Sequence, residues 1–176
     1  YFIVDEGEMW GKILEILARK AKEGVEVRML YDGTCELSTL PHDYPRRLRS
    51  LGIQSKMFAP IKPFVSTHYN YRDHRKILVI DGETAFNGGI NLADEYINKV
   101  TRFGHWKDSA IRLEGDGAWG FAVQFMQMWK MLGRSFPNED DYYRSRREAP
   151  AAEGFCQPFE DGPLNNPDNP AEAAYL

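Results

Sequence analysis

His74 and Lys76 are the side chains of this sequence best suited to do chemistry. One residue separates them, so on an extended chain they point to the same face. A nucleophile-capable imidazole would then stand beside a fixed ammonium. Downstream, Gly88 and Gly89 lack a Cβ, so a ligand or another stretch of backbone can approach closely there. Asn91 offers an amide just ahead of the segment 92–97, where it is expected to act as a helix N-cap. Backbone N–H groups collect at such a cap and anions are favoured.

These residues need elements to hold them. Ile77 to Ile80 is a short apolar run closed by Asp81-Gly82, which predicts a buried strand followed by a turn. His74 and Lys76 stand at its mouth. Thr84 to Phe86 predicts a second short strand leading into the glycines. Upstream, Tyr1 to Val4 reads as a strand. Asp5 and Glu8 read as a capping box for a helix carrying Met9, Ile13, Ile16, Leu17 and Ala21, which stops at Gly24. Val25 to Tyr31 alternates as a strand, so Tyr1 to Asp32 predicts a β-α-β unit. A helix over 41–51 and a strand over Ile53 to Ala59 follow. The loop Pro60 to Tyr71 is rich in Pro and aromatics. Asp108 to Leu113 reads as a strand, and Gly115-Asp116 opens an apolar helix with Ala118, Trp119, Ala122, Phe125, Met126 and Trp129 toward the core. Phe155 to Phe159 is expected to be one more strand.

The composition fits one well-cored domain: 176 residues, 43% hydrophobic and 13% aromatic. The net charge of −4 is unevenly spread. Residues 1–136 carry 19 Lys/Arg against 17 Asp/Glu, and residues 137–176 carry 3 against 9. A near-neutral body argues against a nucleic-acid partner, which requires a basic field. Cys35 and Cys156 form no metal-type spacing, and no coherent metal cluster is visible. No run of about 18 apolar residues exists to span a bilayer. His42, His68 and His105 read as loop histidines. No internal repeat is apparent.

The pattern His74-x-Lys76-x-x-x-x-Asp81, followed by Gly88-Gly89-x-Asn91, resembles the HKD signature of the phospholipase D superfamily. The flanks are similar to bacterial cardiolipin synthase: Trp10 to Leu17, Gly24 to Gly33, Asn70 to Lys76 and Ala93 to Tyr96. The resemblance covers nearly the whole chain. It implies an α/β fold, a mixed β-sheet flanked by helices forming one phospholipase D-like half-domain over 1–136. A charged linker over 137–154 and the start of a second half over 155–176 would follow. It implies phosphatidyl transfer between two phosphatidylglycerol molecules without metal or cofactor, with glycerol released. The implied catalytic residues are His74, Lys76, Asp81, Asn91 and Asp108, with His74, Lys76, Gly88, Gly89 and Asn91 around the phosphate.

Their roles follow from the chemistry of a diester, whose transition state spreads negative charge over its equatorial oxygens. Lys76 and Asn91 suit that charge. A neutral His74 is repelled less than a carboxylate would be and can attack to give a phosphohistidine. In the family an acid holds the other ring nitrogen, and Asp108 matches that position. Asp81 lies about 23 Å from His74 along an extended strand, too far to share its phosphate, and is expected to close the turn or pair with a basic residue. Arg72 and Arg75 either assist a headgroup phosphate or make surface ion pairs.

A displacement at phosphorus also needs a proton donor for the leaving alcohol. The family supplies it from a second HKD half, so the expected partners are that half, phosphatidylglycerol and a membrane surface. This chain alone is expected to be soluble and inactive. Its start without Met and its end in 170–176 suggest a piece of a longer protein of the bacterial cytoplasmic membrane, with transmembrane helices upstream. The loop Pro60 to Tyr71 either dips into the lipid interface or packs on the core. The competing readings are a phospholipase D or nuclease of the same superfamily, and a non-catalytic membrane-surface module. The last would be favoured by a site that fails to assemble.

Overall fold

The computed structural model describes residues 1–61, 72–133, 142, 154, 156–160 and 173, and its contacts group into two units. The architecture is mixed α/β, with parallel and antiparallel strands flanked by helices, as expected.

The first unit takes in Tyr1–Lys76 and Gly88–Ala110. Helix α1 (Glu8–Lys22) leads through Gly24, whose φ of +91° only glycine adopts cheaply, into β1 (Val27–Asp32). A one-turn helix α2 (Cys35–Ser38) and helix α3 (Tyr44–Ser50) then lead to β2 (Ile53–Phe58). Strands β1 and β2 pair in parallel, from Val27↔Ile53 to Asp32↔Phe58. Helix α3 is shorter than the expected 41–51, and α2 was not foreseen. Asp32 starts that extra turn by accepting hydrogen bonds from the Thr34 N–H and hydroxyl. The core joins Val4, Trp10, Leu14, Tyr31, Leu48, Ile53 and Leu92. In α1 the deepest residues are Trp10 and Leu14, whereas Ile16 is exposed. At 100° per residue Ile16 falls about 100° from the centre of the apolar stripe.

Two expectations near the chain start are corrected. Tyr1 to Val4 forms a single parallel bridge, Val4↔Leu92, rather than a strand. Asp5 does not cap α1, because the helix starts at Glu8 with Gly7 at the N-cap position, and Asp5 lies two residues upstream with its N–H bonded to the Leu92 carbonyl. The cap comes from Asp94, whose carboxylate accepts the N–H groups of Glu8 at 2.9 Å and Met9 at 2.8 Å. Gly7 leaves the room: a Cβ there would lie 2.6 Å from that carboxylate. Asp94 both satisfies orphan donors and faces the positive end of the helix dipole. Asp94→Ala is expected to cost about 1–2 kcal/mol, read as a lower urea midpoint at unchanged slope.

The second unit takes in Ile77–Asn87 and the chain from Ile111 onward. Strands β3 (Ile77–Ile80) and β4 (Thr84–Gly88) form an antiparallel hairpin, and β5 (Ala110–Glu114) completes the order β3-β4-β5. Ile77, Val79, Ala85 and Leu113 pack on Ala118 and Phe121 of α4 (Asp116–Met131). Strand β3 was expected to be buried, but only this face is covered: Leu78 is 42% and Ile80 48% exposed. An apolar run does not say which of its two faces meets a partner layer. At the hairpin tip Asp81 and Gly82 have φ of +55° and +71°, and Glu83 N–H closes the turn on the Ile80 carbonyl. Asp and Gly are residues that tolerate such a turn. Cys156 to Glu160 run without regular structure, so the strand expected over Phe155 to Phe159 is absent among its described residues. Most of the Pro60 to Tyr71 loop, most of the linker 137–154 and nearly all of 161–176 lie outside the described residues.

Candidate functional site

The segment from Arg72 to Lys76 is irregular and runs straight into β3. It is anchored at Arg72, whose guanidinium Nη1 donates to the Ala59 carbonyl at 2.8 Å and to Asp32 Oδ1 at 3.3 Å. Those groups sit at the C-terminal ends of β2 and β1. The Asp32 side chain is fully buried and that of Arg72 is 13% exposed, so this is an interior ion pair rather than the surface or headgroup contact expected. Arg75 pairs locally, its Nε 2.8 Å from Asp73 Oδ1.

Two residues further, the expected pair assembles. The Lys76 ammonium lies 3.0 Å from His74 Nδ1 and donates to the His74 carbonyl at 2.6 Å. Lys76 is buried, whereas His74 is open to solvent. Phe2 supports both: its ring centroid is 4.7 Å from the His74 ring and 5.9 Å from the Lys76 ammonium. Nothing in the sequence marked Phe2, because it meets His74 only through the fold.

The electrostatics favour a neutral imidazole. Desolvation and then the Lys76 charge hold His74 below its ordinary value, with Asp73 and Asp32 opposing. Burial likewise lowers Lys76, against the fields of Asp73 and Asp108. An ammonium can only donate, so His74 Nδ1 is the acceptor and its lone pair is occupied by Lys76. The expectation that an acid holds the second ring nitrogen is not met in this arrangement. Asp108 instead accepts from Gly89 N–H (3.1 Å), Ser109 N–H (2.8 Å) and the Trp106 indole (3.0 Å). The Trp106 bond leads those that hold its carboxyl below the usual carboxylate range. Asp108 acts on Lys76 through its charge.

The glycines serve the protein's own packing. A Cβ on Gly89 would lie 2.7 Å from the Asp108 carboxylate, and one on Gly88 would lie 2.9 Å from the Ser109 carbonyl. Asn91 is buried and is not a helix cap, since the one-turn 3₁₀ helix starts later, at Asp94–Ile97. Its Oδ1 accepts from Ile3 N–H at 3.1 Å and its Nδ2 donates to the Tyr96 hydroxyl at 2.7 Å. Asp81 forms the hairpin turn described above. Thus the fold brings His74 to Lys76 and Asp108 to Gly89, and it gives Asn91 structural partners. Among the described residues no group of His, Cys, Asp and Glu is arranged to hold a metal ion, and no helix is long and apolar enough to cross a membrane.

The comparisons with known proteins bear on this site directly. A family model described as cardiolipin synthase, PLD-like domain, matches residues 8–102, more than half of the chain and inclusive of the His74–Lys76 segment. An uncharacterised protein of Streptococcus mutans serotype c is 55% identical over all 176 residues, which make up 38% of that protein. A cardiolipin synthase of Alkalihalophilus pseudofirmus is 38% identical over 93% of the chain and 32% of its own length. One of Halalkalibacterium halodurans is 42% identical over 73% of the chain and 26% of its own length. The chain therefore spans about a third of the relatives it matches. With a matching family model laid over the elements that carry the imidazole–ammonium pair, the chain belongs to the phospholipase D-like domain family of cardiolipin synthases.

Proposed function

We propose that this chain is the first HKD half of a bacterial cardiolipin synthase, over residues 1–136, with the linker and the opening of the second half behind it. The observation that carries the reading is the Lys76 ammonium held 3.0 Å from His74 Nδ1 within the family-matched segment. In the resting arrangement the ammonium occupies the imidazole lone pair. A lipid phosphodiester entering beside it draws the cation to its own oxygens and frees the ring nitrogen to attack. A nitrogen–phosphorus bond forms, the bond to glycerol breaks, and the glycerol oxygen takes a proton from the second half. The hydroxyl of a second phosphatidylglycerol then attacks the phosphorus, its proton returning to the same group of the second half, and the nitrogen–phosphorus bond breaks to regenerate His74. Asp108 steadies the ammonium from a distance, Gly88 and Gly89 shape the wall, and Asn91 ties that wall to the start of the chain. Asp81 acts through the turn.

The reading makes the isolated chain incomplete, and it places the full-length protein at the cytoplasmic membrane. The test is to trap the intermediate. Full-length protein incubated with phosphatidylglycerol labelled in its phosphate, quenched in alkali and digested, should carry label on the peptide containing His74. Product formation with no label there, or with label on another residue of this half, would end the mechanism.

A further inference from the structure

Residues 97–107 form a loop whose root is fixed and whose tip is apolar. Asn98, left-handed at φ +58°, closes the root: its Oδ1 accepts Trp106 N–H at 2.7 Å and its Nδ2 donates to the Trp106 carbonyl at 3.0 Å. Trp106 packs edge-on against Tyr96 at 4.6 Å and donates its indole N–H to Asp108. Tyr96 in turn accepts from Asn91. The root is therefore built from the residues that shape the site.

The tip is different. Val100 is 54% and Phe103 79% exposed, with Ile97 39% exposed behind them. The Arg102 guanidinium stacks 5.1 Å over the Phe103 ring. Around these apolar groups stand Lys99, Arg102 and Lys107, and no Asp or Glu occurs between Glu95 and Asp108. The ion pair of Lys99 with Glu8 (3.1 Å) is exposed on both sides and weak, and Arg102 reaches the largely covered Glu95 carboxylate only at 3.4 Å from an exposed guanidinium, so both cations are open to a stronger anion. Apolar side chains ringed by cations, on a loop already ordered, match one partner chemistry: a bilayer surface carrying anionic phospholipid. The apolar groups enter the acyl boundary and the cations meet phosphates. A loop fixed at its root gives up little entropy on docking.

We propose that the 97–107 loop docks this half onto an anionic phospholipid surface, through Val100 and Phe103 in the lipid and Lys99, Arg102 and Lys107 at the headgroups. This deepens the phosphatidyl-transfer reading and rests on it for its biological sense. Its physical test is independent. In the full-length protein, the Phe103→Trp variant is compared with the parent for fluorescence quenching by vesicles carrying brominated acyl chains. Added quenching is expected in phosphatidylglycerol vesicles, and less in phosphatidylcholine. Absence of added quenching, or equal quenching in both, would overturn the docking.

The Val100→Ser/Phe103→Ser protein is then assayed on two substrates. Turnover of vesicle phosphatidylglycerol should fall roughly 10- to 100-fold, with turnover of a short-chain phosphatidylglycerol dispersed as monomers unchanged. An equal loss on both substrates would make the loop part of the site rather than a docking device and would overturn the proposal. If the parent protein transfers neither substrate, the enzymatic reading fails and the quenching alone decides the docking.

Discussion

His74→Ala in the full-length protein is expected to lower phosphatidyl transfer by about 10⁴-fold or more, with phosphatidylglycerol still bound. The size follows from the role. The imidazole is the bond-forming group, so its loss leaves only charge and positioning. Lys76→Met should cost less, about 10²- to 10³-fold, as expected for one lost contact to a developing oxyanion.

The same pair sets the pH dependence. The nucleophile is the neutral ring, so activity is present above the pKa of His74 and is lost as pH falls through it. Desolvation and the Lys76 charge depress that pKa, so the acid limb of kcat/KM should fall below about 6.5, the ordinary imidazole value. Lys76→Met removes the charge and leaves the desolvation, so the limb should move back up without fully returning. Nitrogen chemical shifts of His74 follow the same titration without turnover. An acid limb that ignores Lys76, or a His74→Ala protein of undiminished rate, would remove the imidazole–ammonium pair from the mechanism.

The elements around this pair were legible in the sequence because their signals are local. The apolar run Ile77–Ile80 followed by Asp81-Gly82 marked strand β3 with its observed ends and the turn that follows it. Gly24 ends the first helical segment as read, and it does so at positive φ. The misreadings around the site share one cause: each depends on a partner distant in sequence. Asp5 looks like a cap until Asp94, 85 or more residues away, supplies the carboxylate. Asn91 looks like a cap until Ile3 takes its amide oxygen. Gly88 and Gly89 signal close approach, but only the fold shows that Asp108 and Ser109 are what approaches. The bond from the Trp106 indole to Asp108, and the packing of Phe2 on His74, had no signal short of three dimensions.

Arg72→Met should be among the most damaging substitutions in the first unit, at about 3–5 kcal/mol. The reason is the carboxylate it abandons. Asp32 is fully buried at the end of β1, and among the described residues its Oδ2 has no hydrogen-bond partner, while Oδ1 accepts Thr34 N–H at 2.9 Å, the Thr34 hydroxyl at 2.8 Å and Arg72. Removing the guanidinium leaves an interior negative charge that, among the described residues, is hydrogen-bonded by Thr34 alone. Asp32→Asn keeps an acceptor for Thr34 and removes the charge, so it should be milder. The double variant should then lose less than the two singles added, because the stranded charge is gone in both proteins that lack Asp32. Urea unfolding, with hydrogen exchange of the β1–β2 ladder, reads this cycle.

A functional readout separates positioning from plain stability. Arg72 ties the backbone two residues before His74 to the ends of both parallel strands. Its loss should therefore lower kcat more than it raises KM, in conditions where the variant remains folded. The charge of Asp32 also opposes the depression of His74, so Asp32→Asn should move the acid limb further down, opposite to Lys76→Met. Additive stability losses together with an unmoved pH profile would make this buried pair a brace for the sheet alone, with no hand in presenting the imidazole.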